Sequence, residues 1–361
     1  MPSSTSSSER LPRSSAWPAL LAAFAGAVLL VLAGEWALAR RGYIPTALDS
    51  MDLWVARRNE VAREPRALVV LGSSRAQVGI DLDTLARRSG RHVIQLAIDN
   101  TSFLPVLAGL ADDPEFRGAV LVDYLERFAM PGQRDQTALA WQAAWERQRH
   151  LGGVSPSALS EAWLGDALRS RLRLYADGAQ PLTSLLTRVL DPAASPQYLV
   201  IRPDRSREAD YARTDLPPFY YRTVARYLDV PLDRLPWDAG LPAVESALRK
   251  AVDALPEADA AAIDAGIARA SALAQRIEAR GGRVWFVRMP SCGLIREAEQ
   301  RLYPRERYWA RLAEVNPGGS VHFQDHPALA GVDCPDGSHL DRRDVPGFTN
   351  ALVDLLPGLA D

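Results

Sequence analysis

The chain has 361 residues, 47% hydrophobic and 24% charged, an ordinary globular composition that excludes wholesale disorder, and its 26 prolines and 24 glycines follow no collagen-like period. Forty-two basic residues against 44 acidic ones leave a net charge of −2, which argues against a general nucleic-acid binder. Two cysteines, Cys292 and Cys334, are too few for a disulfide scaffold and lack zinc spacing, and the five histidines are scattered, so the sequence points to no metal and no cofactor.

Residues 1–15 are rich in serine and carry Arg10 and Arg13, a pattern that predicts a disordered tail. Residues 16–34 then run without a charge; Glu35 interrupts, residues 36–39 are apolar again, and Arg40-Arg41 closes the stretch. As a helix, residues 16–34 span about 28 Å and residues 16–39 about 36 Å, enough for a bilayer core. Trp17 and Trp36 stand near the two ends, where interfacial aromatics belong. This predicts a retained single-pass transmembrane helix over 16–39. Two alternatives stay open. Ala37-Leu38-Ala39 resembles a signal-peptidase site, although the apolar run exceeds the roughly 7–15 residues of a signal peptide. A buried core helix is the other. Arginines lie on both sides of the span, so the positive-inside rule does not decide its orientation.

Residues 42–64 read as a connecting helix within a linking segment, 40–65. Short apolar runs at 67–71, 92–98 and 119–124 read as strands, with helices at 81–89 and 103–112 between them; strands alternating with helices predict a parallel sheet covered on both faces. The alternation then stops. Helical stretches at 135–150, 156–175, 181–190, 219–228 and 241–254 surround one strand-like run, 198–201, and predict a mainly helical insertion over 130–282. A long amphipathic helix at 257–280 ends at Gly281-Gly282. A fourth strand (284–287), helices at 293–302 and 305–314, a fifth strand (321–324), a polar loop at 325–342 and a last helix at 345–355 follow. The α/β unit is thus divided between 66–129 and 283–361.

Two short motifs carry the candidate chemistry. Gly72-Ser73-Ser74-Arg75 directly follows the first strand, and a sharp strand-to-helix turn lifts a serine hydroxyl clear of the sheet beside free helix N–H groups. The plain alternative is a turn with a serine cap. Asp336-Gly337-Ser338-His339 follows the fifth strand, and an aspartate three residues before a histidine can orient its imidazole as a general base. The plain alternative is an Asx turn with a surface histidine. In a parallel sheet both loops emerge at the carboxyl edge, where open α/β sheets place their sites. The segment lacks the Gly-Lys-Ser/Thr ending of a phosphate-binding P-loop.

The order Ser…Asp-x-x-His, with the pair near the C-terminus, resembles the SGNH (GDSL-type) hydrolase superfamily, and in particular its membrane-anchored members that modify bacterial cell-envelope and exopolysaccharide glycans. The resemblance covers residues 66–125 and 283–355. It implies a flavodoxin-like three-layer fold with a roughly five-stranded parallel sheet. Ser74 would be the nucleophile, His339 the base and Asp336 its orienter, acting through an acyl-serine intermediate. Ser73 stands where the family has aspartate. The family's glycine after the second strand is replaced by Asp99-Asn100-Thr101, and its Gly-x-Asn-Asp after the third strand by Asp123-Tyr124-Leu125-Glu126, so expected oxyanion donors are missing. Asn100 is a candidate side-chain donor. The implied activity is a serine esterase or O-acyltransferase, acetyl by expectation, on a cell-surface polysaccharide. The implied place is the inner membrane with the catalytic domain in the periplasm, and a membrane-bound acyltransferase is a candidate partner. The alternative is a weak or inactive scaffold or glycan-binding protein of a polysaccharide-modifying assembly.

Arg75 either steers an anionic substrate or makes a plain ion pair. Cys292 and Cys334 follow the fourth and fifth strands, and neighbouring strands would bring them within bridging distance, as a disulfide clamping the 336–339 loop or as free thiols. Trp141, Trp145, Trp163 and Phe219-Tyr220-Tyr221 either stack on sugar rings or pack in the core. The arginine-rich stretch 169–174 reads as a solvated helix face.

Overall fold

In chain order the strands are β1 (Leu68–Leu71), β2 (Val93–Gln95), β3 (Ala119–Asp123), β4 (Leu199–Ile201), β5 (Arg207–Ala209), β6 (Arg283–Arg288) and β7 (Ser320–His322). They belong to a computed structural model that describes residues 16–130, 132–150, 168, 170–178, 180–191 and 196–359; the expected tail 1–15, Trp163 and most of the expected helix 156–175 lie outside the described residues.

β1, β2, β3, β6 and β7 form one all-parallel five-stranded sheet in the order β2-β1-β3-β6-β7. β1 and β3 are buried along their whole length, as near-continuous apolar strands in a parallel sheet must be when helices cover both faces. On one face Val69, Val120 and Phe286 meet helices α2 (Met51–Arg63) and Ala260–Glu278, and α5 (Leu104–Asp112) closes the same layer. On the other face Leu68, Leu121 and Trp285 meet α4 (Leu82–Ser89) and helix Val345–Val353. The chain goes from β1 out to β2, then crosses back to β3 on the other side of β1. That reversal opens a crevice at the carboxyl ends of β1 and β3, where ligands of open α/β sheets bind.

The expected connecting helix over 42–64 is shorter: α2 begins at Met51, where the Ser50 hydroxyl caps Leu53 N–H at 3.2 Å. Part of the preceding strap is fastened to the insertion, with Ala47 N–H on the Ile201 carbonyl at 2.8 Å. The insertion leaves the sheet after Asp123 and rejoins it at Arg283. Its expected helices are found at Gln136–His150, Leu216–Tyr227 and Leu241–Asp253. The strand-like run at 198–201 gains an unforeseen partner, β5, antiparallel to it. Arg207-Glu208-Ala209 has no apolar alternation to announce a strand. It pairs because Asp204 accepts the Ser206 N–H at 2.9 Å and Arg205 takes φ +71, which turns the chain back.

The apolar N-terminal stretch forms α1 (Trp17–Arg40), a helix long and apolar enough to cross a membrane. Residues 16–33 are exposed, so it is not a core helix; only its last turns, through Gly34 and Leu38, are packed against protein. The stretch 169–174 is solvated only in part where it is described: Arg171 is exposed, but the end of the stretch is packed against protein. Leu174 is buried with Leu38 and Tyr43, its N–H donates to Glu35 at 2.8 Å, and Arg173 pairs with the same carboxylate at 3.4 Å.

Gly72 closes β1 with φ +136, and a Cβ there would lie 2.5 Å from the Cβ of Asp123. Gly72→Ala is therefore expected to lower the stability of the full chain by about 2 kcal/mol or more. The measurement is the thermal or denaturant midpoint; an unchanged midpoint contradicts the assigned backbone.

Candidate active site

After Gly72 the chain passes through extended Ser73 and turns into α3 (Ser74–Gly79). The Ser73 N–H faces Asp123 Oδ2 at 3.5 Å, which ties the turn to the end of β3. Ser74 begins the helix, and its Oγ lies 2.8 Å from His339 Nε2. The structure thus brings residues 74 and 339 together at the carboxyl edge of the sheet.

The loop at 336–339 is an Asx turn and an imidazole holder at once. Asp336 Oδ1 accepts the N–H groups of Ser338 at 2.9 Å and His339 at 2.8 Å. Its other oxygen, Oδ2, lies 2.8 Å from His339 Nδ1 and accepts the Tyr211 hydroxyl at 2.9 Å. Gly337 takes φ +90 in this turn, and its carbonyl accepts Cys292 N–H at 2.9 Å. Burial alone would raise the Asp336 carboxyl, but the charge and hydrogen bond of His339, the Ser338 N–H and the Tyr211 hydroxyl outweigh it and hold the carboxyl well below its ordinary range. An ionised Asp336 keeps a proton on Nδ1 and leaves Nε2 free to take one from Ser74. Burial and the Asp336 charge push the Tyr211 phenol far up, so it stays a donor. Tyr211 and Ser338, whose Oγ lies 2.9 Å from Nδ1, were not foreseen. Ser338 adjoins the motif; Tyr211 lies 125 residues away in an unremarkable Tyr-Ala-Arg turn.

Arg75 makes a buried ion pair. It is 4% exposed and meets Glu299 at 2.5 Å. Glu299 also receives Arg288 at 2.7 Å, the Ser291 hydroxyl at 2.7 Å and the Tyr227 hydroxyl at 3.3 Å. Arg288 reaches Glu126 at 3.5 Å. Burial opposes ionisation of Glu299, yet the two guanidiniums and the Ser291 hydrogen bond bring its carboxyl down to about 2. Asp123 and Glu126 go the other way, raised chiefly by burial. Two guanidiniums thus face three buried carboxyls, and burial weighs against ionisation most at Asp123 and Glu126.

Ser74 and His339 open on a cavity of about 410 Å³ whose walls include Asn100, Leu125, Phe128 and Ile295. Asn100 sits in the left-handed region (φ +51) with its carbonyl oxygen held by Arg134. Arg127, Arg134 and Arg226 also line the cavity, and among the described residues none of the three has a carboxylate partner within salt-bridge distance. Asp99 on the same wall is paired with Arg207 at 2.8 Å.

Other expected ligands are used elsewhere. Trp145 is buried with its indole N–H on Asn59 at 2.9 Å, and Trp141 packs against Trp54 at 6.1 Å, so both belong to the core. Phe219 packs on Tyr198 and Tyr211, the Tyr220 hydroxyl accepts Leu294 N–H at 2.8 Å, and Tyr221 donates to Glu245 at 2.8 Å. Cys292 and Cys334 are free thiols close enough to act on each other: the interaction between them lowers the Cys292 thiol and raises that of Cys334. Among the described residues no cluster of three potential metal ligands is present. No known family, curated protein or solved structure matches the chain.

Glu299 and Asp336 are both held below their unfolded values of about 4. The stability they contribute is complete above that pH and is lost as pH falls, for Glu299 through about 2. The unfolding midpoint is expected to drop steeply below about pH 4. Glu299→Gln, which strands the buried Arg75 guanidinium and leaves Arg288 with Glu126 alone, should cost about 3–5 kcal/mol at neutral pH and flatten that acid limb. A variant with wild-type stability and wild-type acid dependence overturns this account.

Proposed function

We propose that the protein is a membrane-anchored serine esterase or O-acyltransferase of the SGNH kind, with a flavodoxin-like sheet, acting from the periplasmic face of the inner membrane on a cell-surface polysaccharide. One observation carries the reading: Ser74 Oγ, the His339 imidazole and the Asp336 carboxylate stand in a continuous series of 2.8 Å contacts at the mouth of a cavity. Counting only the parallel strands, the sheet order is 2-1-3-4-5, which supports the flavodoxin-like assignment.

In the first half-reaction Ser74 Oγ attacks the acyl carbonyl carbon and its proton passes to His339 Nε2. Asp336 stabilises the imidazolium without taking the proton. The tetrahedral intermediate collapses, the leaving alcohol departs with the proton from Nε2, and an acyl-serine remains. In the second half, water or a glycan hydroxyl gives its proton to Nε2 and attacks the acyl-serine; Ser74 leaves and recovers the proton. Water makes the protein an esterase, and a glycan hydroxyl makes it a transferase fed by a membrane-bound acyltransferase. The Ser74 backbone N–H is the first oxyanion donor, and Asn100, whose carbonyl is occupied by Arg134, offers its Nδ2 as the second. No cofactor enters these steps. Arginines 127, 134 and 226, which have no salt-bridge partner among the described residues and outnumber Asp229 on the same wall, favour an acceptor that carries negative charge.

A second reading, a glycan-binding scaffold with little or no activity, is favoured by the end of β3. Leu125 stands there in place of the family's asparagine donor, and Asp123, in the place of the family's glycine, takes up the Ser73 N–H.

A serine-reactive fluorophosphonate applied to the full chain in membranes separates the two. Labelling is expected in wild type and Ser73→Ala and absent in Ser74→Ala and His339→Ala, and Asp336→Asn should slow ester turnover by about 10³–10⁴-fold. Folded wild-type protein that takes no label favours the scaffold. Arg226→Glu is expected to raise KM about five- to tenfold for an acidic ester and to leave KM for a neutral ester unchanged; equal effects on both esters would rule out the anionic acceptor.

A further inference from the structure

We propose that residues 181–190 form a second membrane contact, lying in the plane of the bilayer surface beside α1 with the lipid headgroups and upper acyl chains as partner; this rests on reading α1 as a retained span. The segment is helical, Pro181–Ser184 continuing as a wider turn over Leu185–Val189. Its inward side is filled: Leu185 and Val189 pack on Leu38, Tyr43, Leu174 and Ala176. Its outward side is a row of leucines four residues apart, Leu182, Leu186 and Leu190, exposed by 68%, 55% and 69%. Residues at this spacing share one helix face, and such an apolar face beside a polar body is the pattern of an interfacial helix.

The position of the segment decides the partner. Residues 17–33 of α1 stand free of the protein and extend about 26 Å, close to the thickness of a hydrocarbon core. At Gly34 the helix meets the segment so closely that a Cβ there would lie 2.7 Å from Leu185 Cδ2. The segment that carries the leucine row therefore meets α1 where the free part of the span ends, which is the level of the bilayer surface. The groups just beyond that level are suited to an interface. The Glu35 carboxylate is taken up by Leu174 N–H and Arg173, Trp36 is exposed under the Arg40 guanidinium at 4.8 Å, and Arg41 donates to the carbonyls of Arg188 and Asp191. The apolar surface is thus continuous with that of α1, and the bilayer that accepts one accepts the other. Attachment at two points prevents the catalytic unit from swinging about the end of α1 and gives the 410 Å³ cavity a set height and direction relative to the membrane.

The test uses the full chain in phosphatidylcholine–phosphatidylglycerol vesicles. Phe24, Leu186 or Arg226 is replaced in turn by a non-natural residue carrying an environment-sensitive fluorophore, and the vesicles contain lipids with a nitroxide at a shallow or a deep acyl carbon. The probe at 186 should be quenched several-fold more by the shallow nitroxide, the probe at 24 more by the deep one, and the probe at 226 by neither. With the probe at 182, adding Leu186→Asp should abolish shallow quenching while the span stays inserted. A probe at 186 that is not quenched, with the probe at 24 quenched, overturns the second contact and leaves the anchor standing. Loss of quenching at both positions overturns the anchor itself.

Discussion

Glu299 is the pin on which the carboxyl edge of the sheet turns. It lies on the helix after β6 and holds Arg75, the neighbour of Ser74, at 2.5 Å and Arg288, the last residue of β6, at 2.7 Å. Through Arg288 the cluster reaches Glu126, three residues past the carboxyl end of β3. The turn after β1 is thereby tied to β3 and β6, and the Ser74 hydroxyl is carried by a rigid base. Charges this deeply buried are tolerable only when paired and hydrogen-bonded, so the cluster admits little rearrangement. Position, rather than added stability, is what it contributes to the site.

The opposite wall is organised by Asp336, and here the insertion ceases to be an appendage. The β4–β5 hairpin grips the loop after β7: Tyr211 donates to Asp336 from its hydroxyl and to Asp341 from its backbone, and Arg342 N–H binds the Ala209 carbonyl at 2.8 Å. The strap after α1 joins the same assembly through Asp49, which receives Arg205 at 2.7 Å, Arg207 at 2.9 Å and Gln77 of α3 at 2.7 Å. Asp49 stays ionised although burial opposes it, because the two arginines outweigh the desolvation. A chain of short contacts thus leads from the end of the apolar helix to the helix that begins with Ser74.

Much of this architecture was legible because its signals are local. The apolar runs at 67–71, 119–124 and 284–287 have no solvent-facing alternation, which only a sheet covered on both faces accommodates. Helices at 81–89, 103–112 and 293–302 announce themselves by periodicity and by residues such as Asp81 and Gly90 at their ends. Asp-x-x-His is equally local: a turn of that length brings the carboxylate to the imidazole wherever it occurs. The polar strand β5 and the burial of Leu174 were not legible, since both depend on what lies opposite.

The sequence by itself determined the long apolar helix, the parallel α/β frame and the two motifs at its carboxyl edge, because hydrophobic period and turn chemistry are set by residues within one helical turn or one strand of each other. Tertiary structure alone decided that Arg75 faces Glu299, that Trp141 and Trp145 are core residues, that Cys292 and Cys334 meet as thiols, and that Tyr211 holds Asp336. Each of these is a contact between residues far apart in the chain, and its energy depends on desolvation and on the partner supplied by the fold. No spacing in the sequence records either quantity.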